Sequence, residues 1–272
     1  MTSILRKAGA FIRRDFQIES SYKVNFIMGV IDSMIILVFF YFVDKLVADG
    51  GSRDLARYGG DYLSFVLIGL AFARFFQLTL KMFSESIRQA QVTGCLEAML
   101  SSKTDALTNV LMSSLYGLVS GAAQLLIILA AGSLFEGVDL SRMNVPTTVG
   151  IFAVSVLSFV AFGVLSASAI LWLKKGDPFA WILGGLGTML GGAYFPISVL
   201  PDWLQSVAFF IPITHSLDAL RMSMLRGASV EAVWEPLLIL TLMSAILLAA
   251  SLVIFAAMVR KGRRREGTLT QY

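Results

Sequence analysis

Two charges sit where charges are costly. Asp32 lies inside the apolar run NFIMGVIDSMIILVFFYFV, and Arg74 inside YLSFVLIGLAFARFFQLTLKMF. An ionised side chain surrounded by hydrocarbon must pair, reach a water-filled cavity or face other protein. With a rise of 1.5 Å per residue, both lie roughly 10–14 Å in from the same end of the bundle. They are therefore expected to approach each other. Two roles stay open for them: a gate or substrate contact, and a structural pair joining neighbouring helices. A third run carries Asn109, Ser113, Tyr116, Ser120 and Gln124 at helical spacing, so that they share one stripe. Such a stripe belongs against protein or a polar cavity. It serves either helix packing or a translocation path. Phe65, Phe72, Phe76 and Phe83 form an aromatic face that meets lipid, a neighbouring helix or a substrate.

Ordinary catalytic chemistry finds little support. His215 is the only histidine and Cys95 the only cysteine, too few for a zinc site or an internal disulfide. No HExxH or GxSxG motif occurs. The phosphate-gripping GxxxxGK[ST] loop is missing too, so this chain does not hold nucleotide by that route. No metal or cofactor is expected on it.

The elements that position these residues are membrane helices. Of 272 residues, 57% are hydrophobic and 15% charged, against roughly 25% charged in soluble domains, and the mean hydropathy is +0.77. Apolar runs at about 25–43, 62–83, 106–134, 148–173, 179–195 and 236–259 predict six spans. The fifth is Gly-rich and barely long enough. Residues 3–20 read as an amphipathic helix lying in the interface. The opening MTSILRKAGAFIRRDF does not read as a cleavable signal. One membrane domain over 1–272 is expected, with an interfacial helix at 1–23, the helical body at 24–259 and a basic tail at 260–272.

The net charge of +4 reflects basic residues flanking apolar runs, a pattern of membrane orientation rather than nucleic-acid binding. Fifteen Lys and Arg fall on one side and six on the other, with Arg74 between. That asymmetry places both termini in the cytoplasm, which requires an even number of crossings. The agreement with six spans is independent of the hydropathy count.

Two connecting segments remain. Residues 84–104 read as a cytoplasmic amphipathic helix with Gly94 dividing two halves. Its apolar face must dock on the membrane surface or on a partner. Residues 202–234 are too polar to cross and read as two short helices broken at Pro212. With the breaks at Pro196 and Pro201, they are expected to dip back into the outer leaflet.

At these segments the chain resembles the type-2 class of ABC exporter permeases, which includes drug and Nod-factor exporters. The run Gly192 to Leu204, with Phe195-Pro196, Leu200-Pro201 and Trp203, is similar to the family's Phe-Pro, Leu-Pro and following aromatic. Pro212-Ile213-Thr214-His215 with Asp218 and Arg221 resembles its Pro-x-Thr-His block, where the family usually carries Glu in place of Asp218. Gly94-Cys95-Leu96-Glu97 resembles its Gly-Thr-Leu-Glu segment, with Cys95 in place of Thr. The resemblance implies an all-α permease subunit in the cytoplasmic membrane, moving an amphipathic or lipid-like substrate. It implies two ATPase subunits carrying the ATP and Mg, and a second permease copy. Arg88, Gly94, Cys95, Leu96, Glu97 and Leu100 would form the ATPase-coupling segment. Phe195, Pro196, Leu200, Pro201, Trp203, Pro212, His215, Asp218 and Arg221 would form the outer gate. The competing readings are a permease-like subunit of assembly or sensing, a stand-alone channel and an intramembrane enzyme.

Overall fold

In the computed structural model the described residues are 9, 13, 17, 23–47, 55–59, 61–95, 106–135, 138–173 and 178–264. Apart from turns and short irregular connections they are helical, with no strand among them. Five helices are long and apolar enough to cross a bilayer: α1 (Lys23–Val47), α2 (Tyr62–Val92), α3 (Ala106–Gly132), α4 (Val145–Leu173) and α8 (Trp234–Arg264). Between α4 and α8 come α5 (Pro178–Leu190), α6 (Asp202–Phe209) and α7 (Pro212–Leu225). The α1–α2 and α3–α4 connections mark one end of the bundle, called here the upper end. The α2–α3 and α4–α5 connections mark the lower end.

Helix α2 is the centre. It packs on α3, α4, α1, α5 and α7, while α8 lies along α4. Its aromatic face is wholly buried: Phe65, Phe72, Phe75, Phe76 and Phe83 are each at most 2% exposed. Phe76 meets Phe159 of α4 at 4.7 Å and Phe72 meets Phe152 at 5.9 Å. The phenylalanine stripe is therefore helix–helix core and faces neither lipid nor substrate. Small residues let the partners come close. A Cβ on Gly117 would stand 3.0 Å from the Met82 sulfur, and one on Gly121 3.3 Å from the Phe75 ring.

Two helices differ in length from the sequence expectation. Helix α2 does not stop near residue 83. It continues to Val92, so its 31 residues span about 46 Å, well beyond the ~30 Å hydrocarbon core. Residues 84–92, including Arg88, are thus the lower end of α2 and not half of a separate connector helix. Thr93 caps that end by bonding back to the Gln89 carbonyl, and Gly94 takes φ +69°, a left-handed conformation that suits glycine after a helix end. Helix α5 is shorter than expected, with 13 residues and about 20 Å. It ends before the double-glycine turn at 191–192, where Gly192 has φ +78°.

Prolines set the next boundaries. Pro196 precedes a 3-10 turn at Ile197–Val199, Pro201 is the N-cap of α6, and Pro212 opens α7 at its first turn. That is where a residue without an N–H costs a helix least. Two short helices broken at Pro212 were expected here, and two are present. Asn144, at the start of α4, exchanges backbone and side-chain bonds with Ser223, so the α7 end is tied to the α3–α4 connection.

Candidate functional site

The upper end is organised around one side chain. Where α5 gives way to irregular backbone, the carbonyls of Gly192 and Ala193 lose helical partners, and irregular backbone in an apolar setting needs replacement donors. Arg221 of α7 supplies them. Its Nη1 donates to Gly192 O at 2.9 Å, Nη2 to Ala193 O at 3.0 Å and Nε to Phe65 O of α2 at 3.2 Å. The guanidinium also lies 3.4 Å over the Phe65 ring, a cation–π contact. Only 3% of Arg221 is exposed. Burial pulls its pKa down to about 9, with Tyr58 and Asp218 opposing that shift. It remains a cation at neutral pH.

Asp218, one helical turn away, faces the α1–α2 loop. It accepts from Tyr58 Oη at 2.7 Å and from Arg57 Nη2 at 3.1 Å. Burial first, and Asp218 second, push the Tyr58 phenol above its ordinary value. It therefore stays protonated and donating. The acid and the arginine of the Asp218–Arg221 pair serve different partners: one ties α7 to a loop, the other ties it to a helix break. His215 Nε2 sits 2.8 Å from Phe209 O, with its ring edge-on to Phe209 at 5.0 Å. A crevice of about 470 Å³ opens among Arg57, Gln205, His215 and Asp218. Pro196 and Pro212 are buried, Phe195 and Leu200 partly so, and Pro201 and Trp203 exposed.

At mid-depth, Arg74 Nη1 lies 3.6 Å from Asp32 Oδ2 and joins α1 to α2. The approach expected from their depths is present. Arg74 Nε is buried and has no hydrogen bond among the described residues. The Asp32 side chain is 59% exposed and that of Arg74 28%. Gln124 of α3 completes this layer, and a Cβ on Gly29 would stand 2.5 Å from its Nε2. Along α3, Asn109, Ser113, Tyr116 and Ser120 are half-buried and Gln124 is buried, with Ser120 bonding back to Gly117 O at 3.3 Å.

Breaking the Asp32–Arg74 pair should cost more than removing it. Arg74 left without its partner keeps an uncompensated charge, but the pair is 3.6 Å apart and the Asp32 side chain is not enclosed by the rest of the chain, which moderates the effect. Asp32→Leu is expected to lower stability by about 1–2 kcal/mol, and Arg74→Met in the same chain should restore part of it. Additive losses in thermal unfolding of the purified variants would show that the two charges do not act together.

Lower down, the described part of the connector holds Arg88, Gly94 and Cys95. Arg88 pairs with Glu85 at 3.7 Å, and Cys95 is a free, exposed thiol. Leu96, Glu97 and Leu100 lie outside the described residues, as do nearly all of the N-terminal segment and the last part of the tail. Sequence reasoning did not find Arg57, Tyr58, Phe65 or Gly69 as partners of the α7 residues. Arg57 and Tyr58 read only as loop, and a backbone carbonyl that accepts from a distant arginine leaves no mark in side-chain pattern.

Five helices long and apolar enough to cross a bilayer, with an interhelical ion pair between α1 and α2 and an arginine-capped helix break, mark a polytopic membrane protein. The family model described as ABC-2 type transporter matches residues 8–225. The chain belongs to the ABC-2 type transporter family. Over 88 residues it is 31% identical to the "Probable multidrug ABC transporter permease YbhR" of Escherichia coli strain K12, covering 31% of this chain and 24% of that protein. The same protein from Escherichia coli O157:H7 matches identically. The alignment thus spans about a quarter of the relative's length.

Proposed function

We propose that this chain is the membrane subunit of an ATP-driven exporter, moving an amphipathic or lipid-like substrate out across the cytoplasmic membrane. Family membership supports the transport role, and the relative's description as a probable multidrug permease supports an amphipathic cargo. A separate ATPase subunit holds the ATP and its Mg²⁺. Two permease copies and two ATPases make the working assembly. The basic lower end is cytoplasmic and both termini lie there. α5 and the turn after it complete a sixth crossing, and α6 and α7 form a re-entrant cap at the outer face.

The observation that carries this reading is the continuity of α2. One unbroken helix runs from the Phe65 carbonyl, held by Arg221 under the outer cap, to Val92, where the connector begins. Docking of an ATPase at residues 88–100 would then move the outer cap directly. ATP drives the change only so far as it favours one helix packing over the other.

The test is co-purification of the tagged full chain from its native membranes in mild detergent. A bound ATPase carrying a GxxxxGK[ST] loop is expected, in equal copy number with the permease by native mass spectrometry. Deletion of 92–100 should release the ATPase while the remaining chain stays monodisperse. A well-folded wild-type chain that brings down no ATPase, or that passes solute without ATP, would overturn the reading.

A further inference from the structure

Helices α2, α3 and α5 leave between them a crevice of about 560 Å³ in the lower half of the bundle, a size typical of small-ligand sites. Leu78 and Met82 of α2 give it an apolar wall, and Trp181 of α5 stands beside it, 77% exposed. Lys81 and Glu85 enter from α2, and Ser120 enters from α3. Gly117 keeps the α3 wall thin, since a Cβ there would press on the Met82 sulfur at 3.0 Å.

The lining is graded along the bundle axis. Lys81 lies seven residues below Arg74, about 10 Å nearer the lower surface, and Glu85 lies one turn lower still. Leu78 lies one turn above Lys81, toward the bilayer centre, while Met82 and Trp181 flank Lys81 at about its own level. A lipid of the lower leaflet fits with its headgroup near Lys81 and its tail rising past Leu78.

Charge then selects the headgroup. Glu85 is matched by Arg88 at 3.7 Å. Lys81 has no ion-pair partner among the described residues. The crevice therefore presents an ammonium with no direct ion pair beside an apolar slot, with the Glu85 carboxylate, paired to Arg88, one turn below.

We propose that this crevice binds an anionic amphiphile taken from the lower leaflet, with its headgroup on Lys81, Met82 and Trp181 packed against its glycerol and first methylenes, and its tail rising past Leu78. Treating that occupant as cargo rests on the permease reading above; the binding itself does not.

The experiment uses the full chain in nanodiscs, with Trp172, Trp203 and Trp234 changed to Phe so that Trp181 alone emits. Phosphatidylglycerol and phosphatidylcholine, each brominated on the acyl chain, serve as quenching probes in an unbrominated phosphatidylcholine matrix. Phosphatidylglycerol should half-quench Trp181 at about fivefold lower mole fraction, the factor expected of one basic residue at an anionic headgroup. Lys81→Gln should erase the preference, Lys81→Arg should keep it, and Lys261→Gln in the tail should leave it intact. Ser120→Phe, which fills the slot but keeps Lys81, should remove it, whereas lipid merely coating the surface would be unaffected. Equal quenching by both lipids, a preference that survives Lys81→Gln or Ser120→Phe, or displacement by inorganic phosphate alone would overturn the proposal. An ATPase partner without lipid preference sinks this inference alone. A lipid preference without an ATPase partner sinks the permease reading alone.

Discussion

Gly69→Ala is expected to destabilise the folded chain severely. A Cβ at that position would lie 1.8 Å from the Ala193 carbonyl oxygen, 2.7 Å from its carbon and 2.5 Å from Arg221 Nη2. The carbonyl cannot retreat without losing the arginine that holds it, and Arg221 cannot retreat without releasing Gly192 and Phe65 as well. A cost of about 3 kcal/mol or more follows, at the high end for overpacking. Size-exclusion profiles and thermal midpoints in detergent read it directly. Gly150→Ala and Gly185→Ala are the comparisons, because a Cβ at either meets nothing within 4 Å. These two should be neutral or gain up to about 1 kcal/mol in helix propensity. A monodisperse Gly69→Ala chain with an unchanged midpoint would mean that α2 and the 192–193 turn are not in contact.

Arg221→Met should be nearly as damaging for the opposite reason, since it empties space and donors together. The Gly192 and Ala193 carbonyls lose their donors at once, and Phe65 O, still bonded within helix α2, loses its second. Each buried acceptor left alone costs about 1–3 kcal/mol, and some relaxation toward water reduces the sum for the two to roughly 2–4 kcal/mol. Arg221→Lys keeps the charge but not the planar fork that reaches three oxygens, so it should recover less than half of the loss. Thermal unfolding of the three proteins distinguishes the cases. If lysine performs as well as arginine, the charge over the Phe65 ring matters and the carbonyl bonds do not.

The apolar spans were readable because length and composition act together there. The third run was expected at 106–134 and the helix is Ala106–Gly132; the fourth was expected at 148–173 and the helix is Val145–Leu173. Asp32 and Arg74 were readable as a pair because depth along a helix is simple arithmetic. The lower end of α2 is hard to read because the switch to polar residues after Phe83 looks like a helix end, yet the helix runs on to Val92. Glu85, Arg88, Gln89 and Gln91 are good helix formers, and their polarity marks only departure from the apolar layer. The destination of the phenylalanine face was not readable either, because a lipid-facing stripe and a core stripe share one periodicity. The arginine hub was half readable. Pro196, Pro201, Pro212 and Arg221 are visible in sequence, but the acceptors that explain Arg221 belong to the backbone.

The unbroken length of α2 has a mechanical corollary. A buried helix of about 46 Å behaves as a stiff lever, so a tilt of about 5° at one end carries the other sideways by about 4 Å. No hinge glycine or proline lies within Tyr62–Val92 except Gly69, and that position is clamped by the Ala193 carbonyl and Arg221. Force applied near Val92 therefore has no soft joint in which to dissipate before it reaches the turn beneath the short proline-capped helices.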